Sequence, residues 1–286
     1  MNYQKMLEKL KTYEKKYLVK TIGFTEFNRK IIAVEITKNE QFSTAILIAG
    51  VHARENITCD LVCEMLDLGL FDKIQNFNVS VIIMANPDGI ELSNFGLISV
   101  LENIRENLLK INNGDFDFSL WKANGRGVDI NNNFDANFGT NTSKTSFASS
   151  GYVGEFAESE LETRALKNYI INKKTFFTIS YHSKGEEIYY NFFQSGKRLE
   201  RDKIIAEKFA SSTGYIIKNV ENSSSGGLKD YCVYKLKIPS ITIEVGSDDL
   251  AHPIKEEYLK EIFEKHKNIA NDLEFAYNTF IEYQDL

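Results

Sequence analysis

The chain has 286 residues, of which 43% are hydrophobic and 26% are charged. These proportions are typical of a globular protein and exclude a disordered tail, a collagen and a disulfide-stapled miniprotein. The 34 basic and 40 acidic residues leave a net charge of −6, which argues against a nucleic-acid-binding protein because such proteins usually carry a basic face. With only 3 cysteines, a reducing compartment fits better than a disulfide framework.

The first 18 residues are charged throughout and carry apolar residues at helical spacing. A secretory signal needs an uninterrupted apolar stretch, which this segment lacks. The longest apolar runs, at residues 45–51 and 79–85, are too short to cross a bilayer. We therefore expect a cytoplasmic protein without a membrane partner, and the sequence leaves its oligomeric state open.

Short runs rich in β-branched residues predict buried strands at residues 31–36, 45–50, 79–84, 176–181, 187–192 and 240–245. Apolar residues at helical spacing predict helices at residues 56–70, 158–171, 198–211 and 255–280. This alternation predicts an α/β fold with a central mixed, largely parallel sheet flanked by helices. No internal repeat or Pro-rich linker interrupts the chain, so we expect one domain over residues 1–286. Polar stretches at residues 112–127 and 135–154 predict long loops.

Three side chains that follow predicted strands are candidate metal ligands. His52 and Glu55 stand between a buried strand and a helix, where the pair can converge on one ion. Zinc prefers imidazole nitrogen and carboxylate oxygen, and its catalytic sites use three protein ligands. His182 ends another strand, and ligands of α/β sheets gather outside the carboxyl ends of strands. The His52–Glu55 pair alone is weak evidence, because such pairs are common on exposed helix faces.

Three further residues have no predicted role in metal binding. His266 lies in a charged helical segment and is expected to be exposed to solvent. Cys59 and Cys63 are one helical turn apart and are expected to pack as small buried hydrophobes.

Glu244 is the candidate general base. It ends a predicted strand, and a carboxylate is costly to bury unless it is paired or functional. Zinc lowers the pKa of a bound water toward about 7, and a nearby carboxylate can then take the proton. The alternative is an edge-strand glutamate that points to water. Asp129 could orient a ligand histidine through its second ring nitrogen.

Seven segments in chain order resemble the zinc carboxypeptidase family. They are residues 23–31 (GFTEFNRKI), 50–55 (GVHARE), 86–89 (NPDG), 121–134 (WKANGRGVDINNNF), 152–163 (YVGEFAESELET), 182–183 (HS) and 238–246 (IPSITIEVG). Residues 225–231 (SGGLKDY) are similar to a further block of that family. Seven ordered blocks are a far stronger signal than any single one, and they imply the metallocarboxypeptidase fold.

The resemblance implies a role for each matching residue. His52, Glu55 and His182 would bind one Zn²⁺ ion. Glu244 would act as the general base and then as the acid to the leaving amine, and Asp129 would support His52.

The resemblance also implies substrate contacts, which are less well defined. Arg54 would line the substrate cleft, and a cation near the metal would stabilise the oxyanion. Lys122 and Arg126 both fit that role by position, and the sequence does not separate them. Tyr234 is the nearest match for the family's mobile phenol, although packing of an aromatic is the alternative.

One departure from the family pattern concerns substrate binding. The family places an Asn-Arg pair where this chain has Asn131 and Asn132, so the arginine that clamps a terminal carboxylate is missing. The plain alternative for these asparagines is turn formation. The branch of the family that cuts peptidoglycan stem peptides at the γ-D-glutamyl–diaminopimelate bond also changes this arginine, and the sequence resembles that branch most.

The leading hypothesis is therefore a zinc peptidase that hydrolyses an amide bond of a muropeptide. An ordinary metallocarboxypeptidase that releases C-terminal residues and a zinc deacylase of N-acyl amino acids remain alternatives. A metal-free binding protein on a peptidase fold is a further alternative, although the complete set of ligand and base residues argues against it.

Overall fold

One mixed β-sheet of eight strands runs through the computed structural model, which describes residues 1–140, 142, 144–218 and 226–284. The strands are β1 (Leu18–Phe24), β2 (Lys30–Ile36), β3 (Thr44–Ile48), β4 (Asn78–Ile82), β5 (Thr175–His182), β6 (Glu187–Tyr189), β7 (Ile216–Ile217) and β8 (Ser240–Glu244). Their order across the sheet is β1-β2-β4-β3-β5-β8-β6-β7. The central strands β4, β3, β5 and β8 are parallel to one another, and antiparallel pairs flank them.

Helices cover both faces of this sheet. They are α1 (Tyr3–Tyr13), α2 (Ile57–Asp67), α3 (Pro87–Phe95), α4 (Glu102–Ile111), α5 (Leu161–Asn172), α6 (Gly196–Thr213), α7 (Leu228–Tyr231), α8 (Leu259–His266) and α9 (Ile269–Glu282). Helix α7 continues as a wider helical turn over Cys232–Leu236. None of the helices within the described ranges is long and apolar enough to cross a membrane.

The central strands are buried on both faces, as their continuous apolar runs require. Ala45 and Leu47 of β3 point into the core that packs against α1, α2, α6, α8 and α9. Ile46 and Ile48 point into the opposite core, which packs against α5 and α7. The predicted α/β fold with a mixed, largely parallel sheet is confirmed.

The parallel register places three strand ends side by side. His182 at the end of β5 pairs with Glu244 at the end of β8, and Ile48 at the end of β3 pairs with Ser180. The segments that follow β3 and β5 therefore leave the sheet at one edge.

Some elements differ from the sequence prediction. The helix predicted at residues 255–280 is two helices, α8 and α9, because the backbone leaves the helical conformation at Asn268. Strands β1 and β7 and helices α3 and α4 were not predicted. Helix α3 begins where an isolated turn was expected: the Asn86 side chain accepts a hydrogen bond from the Gly89 amide, and Pro87 occupies the first helical turn.

The prediction for His266 is wrong. Its side chain is buried, its ring packs against Tyr181 and Tyr215, and its Nε2 lies 3.3 Å from the Tyr215 hydroxyl oxygen. The charged neighbours were misleading because α8 is amphipathic, and His266 shares the buried face with Ile262, four residues earlier.

Cys59 and Cys63 are buried within α2, as predicted. Their side chains belong to the core between α2 and the sheet.

A buried acidic cluster lies at the start of α5. The side-chain amide of Asn124 donates to Glu160 Oε2 at 2.7 Å and to Glu162 Oε2 at 3.3 Å. Burial, and then the nearby charge of Asp88, raises the pKa of Glu162 to about 8. Glu162 therefore remains protonated in the folded protein at pH values where it is ionised in the unfolded chain.

We predict that Glu162→Gln alters the pH dependence of stability. The ordinary pKa of Glu162 is 4.5, so its stabilising contribution is complete below that pH and is lost as the pH rises toward about 8. The glutamine variant should gain stability relative to wild type across this window, by at most about 1.4 kcal/mol per pH unit. Denaturant unfolding of both proteins at about pH 5 and about pH 8 measures the difference. An equal difference in unfolding free energy between the two proteins at both pH values would contradict the prediction.

Candidate metal centre

A tight turn after β3 presents His52 and Glu55. Gly50 has a φ of 63°, and a Cβ there would lie 2.6 Å from Cys59 Sγ, so only glycine fits this bend. The Thr58 hydroxyl accepts from the Gly50 amide at 3.0 Å and donates to the Glu55 carbonyl at 2.8 Å. These bonds hold the segment between β3 and α2 in a fixed path.

His52, Glu55 and His182 form one buried group. His52 Nδ1 lies 2.9 Å from Glu55 Oε1, and His182 Nδ1 lies 3.1 Å from Glu55 Oε2. The two Nδ1 atoms are 3.0 Å apart, and the donor atoms of all three residues lie within 4.8 Å of one another. Two imidazoles and one carboxylate are the donor set of catalytic zinc sites, so the group fits a Zn²⁺ ion.

Outer contacts hold both rings in place. His52 Nε2 lies 3.2 Å from Asp129 Oδ1, and Lys122 Nζ lies 3.0 Å from Asp129 Oδ2. The second nitrogen of His182, Nε2, lies 2.8 Å from the Ser180 hydroxyl. Such contacts to the second ring nitrogen set the ring orientation of metal-binding histidines.

Electrostatics favour the metal-binding forms of Glu55 and His182, whereas for His52 the opposing effect of burial is outweighed by the charge of Glu55, which raises its pKa. Burial would raise the pKa of Asp129 and of Glu55, but neighbouring positive charge, from Lys122 and His52 respectively, holds both below their ordinary values. Burial, followed by the charge of His52, lowers the pKa of His182. An ionised carboxylate and a neutral imidazole are the forms that coordinate a metal.

Glu244 lies beside this group at the end of β8. It lines a cleft of about 180 Å³ together with Asn131, Asn132 and Lys229. Burial, and then the charge of Glu55, raises the pKa of Glu244 to about 8. Strand β8 lies between β5 and β6, so the alternative of an edge strand does not hold.

The structure separates two cations that the sequence left equivalent. Lys122 pairs with Asp129 next to the metal group. Arg126 is directed elsewhere: its Nη1 lies 3.8 Å from Glu160 Oε1, and its guanidinium lies over the Phe147 ring at 5.5 Å.

The remaining predicted substrate residues occupy different surroundings. The Nε of Arg54 is buried and has no hydrogen-bond partner within the described part of the chain. Asn131 Oδ1 accepts from the Leu228 amide at 3.2 Å. Tyr234 does not line the cleft as described; its exposed ring packs against Phe192 at a centroid distance of 6.0 Å.

The cleft also contains residues that the sequence analysis did not identify. Lys229, Tyr189 and Asn191 line it beside Glu244. Lys229 lies in the family-like segment at residues 225–231, and a charged residue within such a block was the available signal. Ser225, which opens that segment, lies outside the described residues.

We predict that His182→Ala removes stoichiometric metal binding, because Glu55 and His52 alone leave the site one ligand short. Elemental analysis of the purified protein after equilibration with Zn²⁺ measures the loss. His252→Ala is the control, since His252 is not part of the buried group. One full equivalent of zinc in the His182 variant would exclude His182 as a ligand.

Several known proteins are similar to this chain in sequence or in fold. The chain is 26% identical over 227 residues to gamma-D-glutamyl-L-diamino acid endopeptidase 1 of Lysinibacillus sphaericus, an alignment that covers 73% of this chain and 56% of that protein. The chain thus spans little more than half the length of this curated relative.

Solved structures share the fold. The carboxypeptidase A of Helicoverpa armigera superposes with a TM-score of 0.75 at 17% identity, covering 100% of this chain and 75% of that one. The murein-tripeptide amidase of Escherichia coli O157 superposes with a TM-score of 0.57 at 20% identity, covering 89% of this chain and 90% of that one.

Finally, the family model described as zinc carboxypeptidase matches residues 3–269. This match covers nearly the whole chain and includes His52, Glu55, His182 and Glu244, so the chain belongs to the zinc carboxypeptidase family.

Proposed function

We propose that this chain is a zinc-dependent peptidase that cuts a peptidoglycan stem peptide between γ-D-glutamate and diaminopimelate, acting as one catalytic domain over residues 1–286. The observation that carries the proposal is the placement of Glu244 beside the buried His52, Glu55 and His182 group, at a cleft lined by neutral Asn131 and Asn132.

The three ligand residues and Glu244 have different roles in the proposed reaction. A bound Zn²⁺ would polarise the scissile carbonyl and make a water molecule acidic. Glu244 accepts the proton of the attacking water on its carboxylate and delivers it to the nitrogen of the leaving amine. Its register pairing with His182 places the Glu244 carboxylate beside the metal group for both transfers.

Lys122 is the cation proposed to stabilise the negative charge that develops on the carbonyl oxygen. Its pairing with Asp129 keeps it next to the metal group, whereas Arg126 is committed to Glu160 and Phe147. Preorganised positive charge at such a position lowers the barrier because it need not reorganise during the reaction.

The substrate assignment depends on the missing arginine. Loss of a charge-assisted hydrogen bond to a terminal carboxylate costs about 1.5–3 kcal/mol, which disfavours an ordinary carboxypeptidase. Neutral Asn131 and Asn132 tolerate a leaving residue with other charges and hydrogen-bonding groups. The name of the Lysinibacillus sphaericus relative, a γ-D-glutamyl–diamino acid endopeptidase, supports the same bond type.

We predict that the purified protein cuts L-Ala–γ-D-Glu–diaminopimelate between the last two residues, and that a chelator abolishes the cleavage. Mass spectrometry of the products identifies the bond. An intact stem peptide would contradict the cell-wall assignment, and the same assay with ordinary peptides and N-acyl amino acids would then test the alternatives.

Glu244→Gln is the matched inactive control for that assay. It should retain zinc, since Glu244 is not a ligand, and lose about 10²–10⁴-fold in kcat. Near-normal turnover by this variant would exclude Glu244 as the base.

We predict that Lys122→Met lowers kcat by about 10²–10³-fold and that Arg126→Met has little effect, because only Lys122 lies beside the metal group. Zinc content measured in parallel separates this loss from a weakened metal site, since Lys122 also pairs with Asp129. Equal losses in both variants would contradict the assignment of Lys122.

A further inference from the structure

The side chain of Asn86 lies between the two segments that carry His52 and Lys122. It is fully buried after β4, and its amide nitrogen donates to the Val51 carbonyl oxygen at 3.1 Å and to the Ala123 carbonyl oxygen at 3.0 Å. Val51 directly precedes His52, and Ala123 directly follows Lys122. A side-chain amide has two donors, and these two bonds use both of them.

The remaining contacts of Asn86 fix its own position. Its Oδ1 accepts from the Gly89 amide at 3.0 Å and so caps α3, and its backbone amide donates to the Gly50 carbonyl oxygen at 2.9 Å. Serine or aspartate would cap a helix equally well, so the cap alone does not explain the amide nitrogen. That nitrogen instead spans the gap between the metal-ligand segment and the segment of Lys122.

Gly89 leaves room for this contact. A Cβ at Gly89 would lie 2.4 Å from the Ala123 carbonyl oxygen and 2.6 Å from Asn86 Nδ2. Carbon atoms do not approach other heavy atoms so closely without bonding, so a side chain here would displace the loop or Asn86. Gly89 lies within α3, where alanine fits the backbone. Gly89→Ala therefore disturbs this contact without removing a hydrogen-bonding group.

We propose that Asn86 is a positioning residue for the reaction, which holds Lys122 and His52 at the spacing that the transition state requires. This inference rests on the proposed function, in which Lys122 stabilises the charge on the carbonyl oxygen. Preorganised charge acts only at the correct distance, and a displacement of about 1 Å can cost about 10²-fold in rate. Asn86 acts through the backbone of Val51 and Ala123.

Asn86→Ser tests the role of the amide nitrogen, because serine still caps α3 but cannot reach both carbonyl oxygens. For L-Ala–γ-D-Glu–diaminopimelate, we expect kcat per bound zinc to fall about 10–100-fold with little change in KM, as for a contact that matters only in the transition state. Zinc affinity, measured by competition with a chromophoric chelator, should fall about 10–100-fold, since the His52 segment loses a support. Asn86→Asp keeps the cap and lacks the donors, and it serves as the second variant if the serine variant does not fold.

A double-mutant cycle separates positioning from a purely structural role. Gly89→Ala should lower kcat about 10–100-fold in the wild-type background. In the Lys122→Met background it should lower kcat less than about 3-fold, because the cation through which it acts is gone. A purely structural role would give the same factor in both backgrounds.

Ser93→Ala is the matched control. Ser93 also lies in α3, and its hydroxyl donates to the Ser119 carbonyl oxygen at 3.1 Å. It thus ties the same helix to the same loop at a point away from Lys122. Its variant should keep the kcat and the zinc affinity of wild type.

Two results would overturn the inference. Asn86→Ser could keep the kcat and zinc affinity of wild type, or Gly89→Ala could lower kcat by equal factors with and without Lys122. If wild type cuts none of the substrates tested, the proposed function fails on its own. Zinc affinity then tests Asn86 separately: a loss of about 10-fold or more in Asn86→Ser that Ser93→Ala does not share supports it, and an unchanged affinity refutes it.

Discussion

The carboxylate of Glu55 lies between two imidazole rings, and this arrangement is the constraint on which the site depends. Its two oxygens contact His52, in the turn after β3, and His182, at the end of β5, which are separated by 130 positions in the chain. An ionised carboxylate in the interior needs a partner, so the burial of Glu55 depends on the two imidazoles that contact it. The parallel register of β3 and β5 brings them together.

Asp129 and Lys122 form the next contacts outside the metal group. Asp129 holds the second nitrogen of His52, and Lys122 neutralises Asp129 from the other side. Both lie in the loop segment at residues 121–134. The loop therefore couples the orientation of a metal ligand to the position of the cation that we assign to the oxyanion.

Glu244 belongs both to the surroundings of the metal group and to the cleft. It pairs in register with His182, one of the three candidate ligands. It also lines the cleft together with neutral Asn131 and Asn132 and the Lys229–Asp230 pair. The residues that would hold the metal and the residues that line the cleft are therefore different side chains around a common carboxylate.

The sequence by itself determined the α/β class, most of the central strands and the candidate ligands, because apolar runs and family-like blocks are local patterns. The sequence did not predict that His266 is buried, because its neighbours along the amphipathic helix α8 are charged. The sequence also did not show that Lys122 pairs with Asp129 whereas Arg126 lies near Glu160, or that Lys229 lines the cleft. Only the tertiary structure decided these points, because the partners of a charged side chain depend on which distant segments the fold brings within a few ångströms of it.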